Sequence, residues 1–326
     1  MKALVCKEFG GPDTLVMEDI PAPEIQDGMV KIEVHSAGLN FPDTLIIEGK
    51  YQMKPPFPFS PGMESAGVVT EVGAGVTSLA VGDRVMANHG VGGFAEYVLA
   101  PEAGTYKIPD NMAFDVAAGF PVTYGTTYHG LVNRANLQAG EVLLVHGAAG
   151  GVGLNAVELG KALGATVIGT VGSGEKMDIV REYGADHVIN YSTESIKDRV
   201  KELTGGKGAD VIYDPVGGDA FDQSMRCINW GGRLLVIGFA SGRIAQLPTN
   251  LVLLKGCSVI GVFWGEFARR YPQKNQENFK AMLEMVAKGI LKPHVSVHYP
   301  LEQVGEAMKM LLSRKTTGKV IITVKD

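Results

Sequence analysis

Hydrophobic and polar positions change rhythm twice along the chain. Up to about residue 120, apolar side chains come in short alternating or β-branched stretches, at 3–6, 30–35, 65–72, 83–87 and 95–99, bounded by Gly, Pro and Asp. This texture predicts a twisted, barrel-like antiparallel β domain. Residues 54–62, KPPFPFSPG, carry four prolines and predict an extended surface loop. From about 122 to 262 the rhythm becomes strand, helix, strand. Apolar runs at 142–145 and 166–171 flank a helical pattern that includes Val152, Ala156, Val157 and Leu163. Further strands are expected at 187–190, 210–213, 233–237 and 257–262, and helices at 176–183, near 196–203 and at 219–227. Six strands interleaved with helices predict a doubly wound six-stranded parallel sheet of Rossmann type. The tail departs from this repeat, with helices near 275–288 and at 301–313 and strands at 295–299 and 319–324. It is expected to return to the first domain, leaving the second domain inserted. The expected division is 1–121 with 264–326, and 122–263 between them.

The turn after the first strand of the second domain reads HGAAGGVG, His146 to Gly153. Gly150 and Gly153 take the second and third places of a G-x-G-x-x-G turn, where a missing Cβ lets the backbone approach a pyrophosphate and lets helix pack on strand. Ala148, with Gly147 beside it, takes the first place, so the fit is imperfect. Ala149, Gly150, Gly151 and Val152 are candidate dinucleotide contacts at the helix start. About 20 residues on, an NAD site would place an Asp or Glu on the ribose 2′-hydroxyl. This chain instead runs Thr170, Val171, Gly172, Ser173, Gly174, Glu175, Lys176. A hydroxyl at Ser173 and a cation at Lys176 suit a 2′-phosphate, which favours NADPH over NADH. Glu175 stands late for a ribose contact and suits the first turn of the next helix. Strand ends further along nominate Gly238, Phe239 and Phe263 as cofactor neighbours.

Composition narrows the classes. The chain has 326 residues, 45% hydrophobic and 20% charged, with a formal net charge of -5, which argues against nucleic-acid or anionic-membrane partners. No apolar run of about 18 residues predicts a membrane span, and Met1 leads into strand-like sequence rather than a basic and apolar leader, so a cytoplasmic protein is expected. Cys6, Cys227 and Cys257 are scattered and predict neither a disulfide framework nor a cysteine zinc site. His35, His89, His129 and His146 are not clustered at ligand spacing and are expected in core or loops.

The order of parts and five strings of sequence resemble the zinc-free quinone oxidoreductase branch, including zeta-crystallin-like proteins, of the medium-chain dehydrogenase/reductase superfamily. The strings are AGLNFPD (37–43), GKYQMKPPFPFSPGMESAGVV (49–69), VGDRV (81–85), HGAAGGVG (146–153) and TGKV (317–320), spread over essentially the whole chain. The resemblance implies that the barrel-like domain is GroES-like and catalytic. Where zinc alcohol dehydrogenases of the same superfamily carry a cysteine and a histidine ligand, this chain has Asn40 and Met63, which cannot replace thiolate and imidazole. No four-cysteine lobe fits the short loop 88–93, so no zinc is expected. Without a Lewis acid the expected substrate is a quinone or another conjugated carbonyl, whose charge spreads as hydride arrives from nicotinamide C4. An NADPH-dependent enoyl thioester reductase and an NADPH-binding, crystallin-like structural protein are the alternatives.

Residue roles follow from the resemblance. Asn40 and Thr127 would flank the nicotinamide, Thr127 opening the helix that faces the sheet. Asp43 would steady the Asn40 loop, and Tyr51, heading the proline-rich loop, could donate to the substrate oxygen or simply pack. Tyr191 and Arg314 join Ser173 and Lys176 as the expected 2′-phosphate contacts. The apolar run 251–263 is expected to form an edge strand that pairs with its copy in a homodimer, or else a helix followed by a buried strand.

Overall fold

A computed structural model of the chain describes residues 1–325. Asp326, the last residue of the expected return segment, lies outside the described residues. In chain order the elements are β1 Lys2–Val5, β2 Val16–Asp19, β3 Met29–Leu39, α1 Phe41–Ile47, β4 Glu64–Val72, β5 Arg84–Asn88, β6 Tyr97–Pro101, β7 Thr105–Lys107, α2 Phe114–Ala118 and α3 Pro121–Tyr128. Then follow β8 Val142–Val145, α4 Gly151–Ala162, β9 Thr166–Val171, α5 Met177–Glu182, β10 His187–Asn190, α6 Ile196–Leu203, β11 Ala209–Asp214, α7 Gly218–Cys227, β12 Ile228–Val236, α8 Thr249–Lys255, β13 Ser258–Gly261 and α9 Trp264–Arg270. The tail holds α10 Pro272–Ala287, β14 Val295–Pro300, α11 Val304–Leu312 and β15 Lys319–Thr323.

One compact unit comprises, among the described residues, Met1–Val122, Tyr271–Ala287 and 292–325. Its main sheet runs β14-β15-β3-β4-β5-β7 with β6 also on β3, antiparallel except for the parallel pair β14 and β15. Strand β3 is 11 residues long and bends through two register shifts against β4. At the second shift Gly67 allows the bend: a Cβ there would stand 1.9 Å from the Glu33 carbonyl oxygen. Inward residues of these strands, among them Ile32, Val34, Val85 and Val98, bury a core that Val304, Ala307 and Met308 of α11 close from one side. Helix α10 belongs to this unit because Phe279 stacks on Tyr106 at 3.9 Å and the Asn275 side chain donates to the Tyr106 hydroxyl at 2.6 Å.

The second unit comprises Thr123–Arg270 and Lys288–Leu291. All six of its strands pair in parallel, in the order β10-β9-β8-β11-β12-β13. Renumbered within the unit this is 3-2-1-4-5-6, so the direction of winding reverses between β8 and β11, and a ligand crevice opens at the carboxyl ends of those two strands. Leu143, Leu144, Val145, Val211 and Ile212 are buried, as interior parallel strands require. Helix α9 sides with this unit: Gly125 leaves room for the Trp264 ring, and Phe267 stacks on His129 at 3.9 Å.

The protein is therefore α/β, a barrel-like GroES-type β domain plus a doubly wound Rossmann sheet. The run 251–263 is a helix, α8, ended by Gly256 in the left-handed region and followed by edge strand β13. No helix among the described residues is long and apolar enough to cross a membrane.

Candidate functional site

The glycine turn is built as the sequence implied, with a shift of one position. Gly147, at φ +57°, makes the left-handed bend, so Ala148 can carry a side chain where the pattern asks for glycine. Gly150 N–H donates back to the Gly147 carbonyl at 2.9 Å, and Ala148 N–H donates to the Thr170 carbonyl at 2.9 Å, fixing the turn to β9. The remaining two glycines differ in their reason. A Cβ on Gly153 would lie 2.1 Å from the Gly147 carbonyl oxygen, so packing of helix on turn demands glycine there. A Cβ on Gly150 would meet only that same oxygen, at an ordinary 3.4 Å. The protein itself does not require glycine at 150, and the bare backbone leaves the start of α4 open to a close-approaching group. This is the cradle a pyrophosphate needs, at the amino end of a 12-residue helix.

Buried polar side chains hold the turn from behind. His146 is fully buried, its Nδ1 at 3.1 Å from the Thr170 hydroxyl and its Nε2 at 2.6 Å from the Ser224 hydroxyl. Since Ser224 donates to the Ala220 carbonyl, it accepts from Nε2, and Nδ1 accepts from Thr170. Burial holds the imidazole pKa down, so the ring is neutral in this arrangement. On the other side of the crevice, Asp214 at the end of β11 accepts from Val216 N–H at 2.9 Å and Gly217 N–H at 2.8 Å. The following turn carries Gly238 and Phe239: a Cβ on Gly217 would come 3.3 Å from the Phe239 ring. Sequence reading missed His146, Asp214 and Ser224 as supports, although the imidazole in HGAAGG was a visible signal.

Between the end of β9 at Val171 and Glu175 the chain carries no acid. Val171 is followed by Gly172 and by Ser173, which opens a short 3-10 turn over Gly174–Lys176. Tyr191 stands against Gly172, where a Cβ would be 2.6 Å from the phenol oxygen. Lys176 is half-buried and burial lowers its pKa, whereas Glu175 is exposed. Ser173, Lys176 and Tyr191 thus flank one strand end. Phe239 and Phe263 are exposed, large apolar rings at the carboxyl ends of β12 and β13.

Thr127 is buried, its hydroxyl 3.0 Å from that of Tyr213 on β11 and 3.3 Å from the Val152 carbonyl. The expectation that Thr127 opens its helix is corrected: α3 starts at Pro121, whose missing N–H suits a first turn, and Thr127 lies near its end, before a π-helical turn at His129–Arg134.

In the first unit, Asn40, Asp43 and Tyr51 come together, with two partners that sequence reading did not nominate. Asn40 caps α1, and its N–H donates to Asp43 Oδ2 at 2.8 Å. Its side-chain amide is engaged elsewhere, Oδ1 accepting from Lys319 Nζ at 2.6 Å and Nδ2 donating to Glu64 Oε1 at 2.8 Å. Asp43 is fully buried and Oδ1 has no partner among the described residues. Burial pushes its pKa from 3.8 up to about 7, against the pull of the Asn40 N–H and the Lys319 ammonium. Half-buried Tyr51 packs against the barrel core, and burial followed by the charge of Asp43 raises its phenol pKa, so it remains an O–H donor at neutral pH. Arg314 belongs to this unit as well, just after α11, at φ +58°.

Comparison with known proteins bears on the same features. Residues 26–110 match the alcohol dehydrogenase GroES-like domain, and 151–288 match the model described as zinc-binding dehydrogenase. A quinone oxidoreductase-like protein 2 homolog of Nematostella vectensis is 47% identical over 329 aligned residues, spanning 100% of this chain and 89% of the relative. The chain belongs to the quinone oxidoreductase family. Among solved structures of this medium-chain family, the quinone oxidoreductase of Pseudomonas syringae pv. Tomato DC3000 superposes with a TM-score of 0.93 at 34% identity, covering 99% of each chain. The Escherichia coli quinone oxidoreductase complexed with NADPH gives 0.93 at 30% identity, covering 99% of this chain and 100% of that one. The protein is an oxidoreductase of this family, and its Rossmann-type unit carries the glycine turn in the crevice where such sheets bind dinucleotides.

Proposed function

We propose that the protein reduces quinones or other conjugated carbonyls with NADPH and without a metal ion. The observation that carries the reading is the pairing of the open cradle at Gly150 with a β9 end that offers Ser173, Lys176 and Tyr191 in place of a carboxylate. When bound, NADPH supplies a hydride from nicotinamide C4. The helix start at Ala149, Gly150, Gly151 and Val152 binds the pyrophosphate through backbone N–H groups. Ser173, Lys176 and Tyr191 hold the 2′-phosphate. Thr127, Gly238, Phe239 and Phe263 line the path to the nicotinamide and exclude water from it.

Metal independence is supported by chemistry already in place. The position of a metal-binding thiolate in zinc dehydrogenases is Asn40, whose oxygen is committed to a lysine ammonium that also lies 2.7 Å from Glu64. A dication placed beside that ammonium would be repelled. A conjugated substrate needs less than a Lewis acid, because charge arriving at one carbon spreads to oxygen, where one hydrogen-bond donor stabilises it. Tyr51 supplies that O–H, and Asp43 and Asn40 hold the loop that aims it.

Edge strand β13 and the exposed Leu253 (79%), Leu254 (67%) and Trp230 (74%) support a homodimer formed along this edge. The three cysteines are buried and free, which suits a reducing, cytoplasmic compartment. The test is NADPH absorbance against a panel of quinones, enones and an enoyl thioester. Quinones and enones are expected to consume NADPH; no consumption above background with any of them refutes the reading, and preference for the thioester moves the protein to the enoyl reductases.

A further inference from the structure

Lys319 and Glu64 form an ion pair sunk in the first unit, their side chains 7% and 0% exposed. Lys319 Nζ donates to the Leu39 carbonyl at 2.8 Å, to Asn40 Oδ1 at 2.6 Å and to Glu64 Oε1 at 2.7 Å. An ammonium has three donors, and these contacts use all of them. Glu64 Oε1 also accepts from the Asn40 amide, and Oε2 accepts from Val122 N–H at 2.7 Å. Three stretches therefore converge on one cation: the end of β3, the start of β4 and the start of β15. The surroundings are cut to fit it. A Cβ on Gly38 would stand 2.4 Å from Glu64 Oε1, and one on Gly119 would stand 2.5 Å from Lys319 Cγ.

Stability alone does not account for such a pair, because apolar residues of similar volume often replace buried ion pairs without loss. What the pair does fix is orientation. With an ammonium on one side and a carboxylate on the other, the Asn40 amide has one allowed flip, since the reverse would turn its oxygen toward Glu64 and its NH2 toward Lys319. Asn40 in turn anchors Asp43, and that loop carries the chain toward Tyr51.

We propose that Lys319 is a built-in cation that positions Asn40, and through it the α1 loop, for turnover, with Glu64 as its counter-charge. Lys319 is a positioning residue; its role rests on the reading of this site as a reductase centre. The place it fills is an oxygen-lined cation site made of a carbonyl, an amide oxygen and a carboxylate.

The test is Lys319→Ala in the full chain, with quinone turnover, NADPH affinity and melting temperature each measured in n-propylammonium chloride and in equimolar sodium chloride. Propylammonium replaces the atoms the substitution removes. Turnover is expected to fall on the order of 100-fold, as misplaced catalytic groups do, with NADPH affinity unchanged. Propylammonium, and not sodium, should restore a large part of the rate and raise the melting temperature of the variant but not of the wild type. Wild-type turnover in the variant, or a folded variant with no propylammonium-specific recovery, overturns the proposal. Should Lys319→Ala fail to fold, the double variant Lys319→Met, Glu64→Gln keeps the volume without the charges. Its kcat is expected to show the same loss, and a wild-type kcat overturns the proposal. If the wild-type protein reduces neither quinones nor enones, the reductase reading fails. The propylammonium-specific rise in melting temperature then decides the cation site by itself.

Discussion

Asp43 offers a quantitative check on the buried site through its isosteric replacement, Asp43→Asn. Its carboxyl is fully buried, one oxygen is without a partner among the described residues, and burial raises its pKa from 3.8 to about 7. The folded protein therefore holds this proton more tightly than the unfolded chain, so stability from this group is complete below pH 3.8 and is lost as pH rises through about 7. The rise corresponds to about 4 kcal/mol over the whole window, of which about 3 kcal/mol falls between about pH 5 and about pH 8. Asparagine copies the neutral form: its carbonyl can accept from the Asn40 N–H, and it has no charge to desolvate. Urea unfolding of both proteins at the two pH values gives a double difference in which Lys319, Glu64 and Tyr51, the other ionisable groups around Asp43, largely cancel. The wild type should lose about 3 kcal/mol more than the variant on going from the lower to the higher pH. Parallel pH dependence of the two proteins would refute the assignment of a buried, neutral-leaning carboxyl, as would a larger loss in Asp43→Asn.

The glycine turn makes a paired prediction. Gly153→Ala forces a Cβ to within 2.1 Å of backbone and should cost about 1–3 kcal/mol in chemical unfolding, whereas Gly150→Ala, with its 3.4 Å contact, should leave unfolding unchanged while NADPH titration shows weakened binding. Lys176→Ala should weaken NADPH by about tenfold and leave NADH untouched, read by separate fluorescence titrations; equal affinity for NADPH before and after removes Lys176 from the phosphate site. Tyr51→Phe should lower kcat by about tenfold to 100-fold with NADPH affinity unchanged, and an unaltered rate returns Tyr51 to packing.

Local periodicity made much of the second unit readable. The strand at His187–Asn190 and the helix at Ile196–Leu203 lie where the pattern placed them, because each is a short apolar or amphipathic segment bounded by polar residues and turns. Strand β12 is longer than its apolar run: it begins at Ile228 and carries Trp230 and two glycines through a bend that no alternation marks. Strands β2 and β7 were missed for a related reason, being three or four residues long and ordered by the partners they pair with. The run at 251–263 held a helix and a strand in one apolar stretch, and Gly256 separates them.

Sequence alone determined the class of the fold and the place of the glycine turn, because a βαβ unit and its turn are written within about 30 contiguous residues and depend on backbone sterics. It also supplied Asn40, Asp43 and Tyr51 from strings shared with the family, Thr127 from the same resemblance, and Ser173 and Lys176 from their place about 20 residues past the glycine turn. Only the tertiary structure decided what these residues touch. Lys319 reaches Asn40 across 279 positions, and Ser224 reaches His146 across 78. Sheet order was likewise a tertiary decision: winding reverses between β8 and β11 because long-range strand pairing selects neighbours that periodicity cannot rank. Side chains that shape a site through charge and hydrogen bonds meet only after the chain has closed over distances no local pattern encodes.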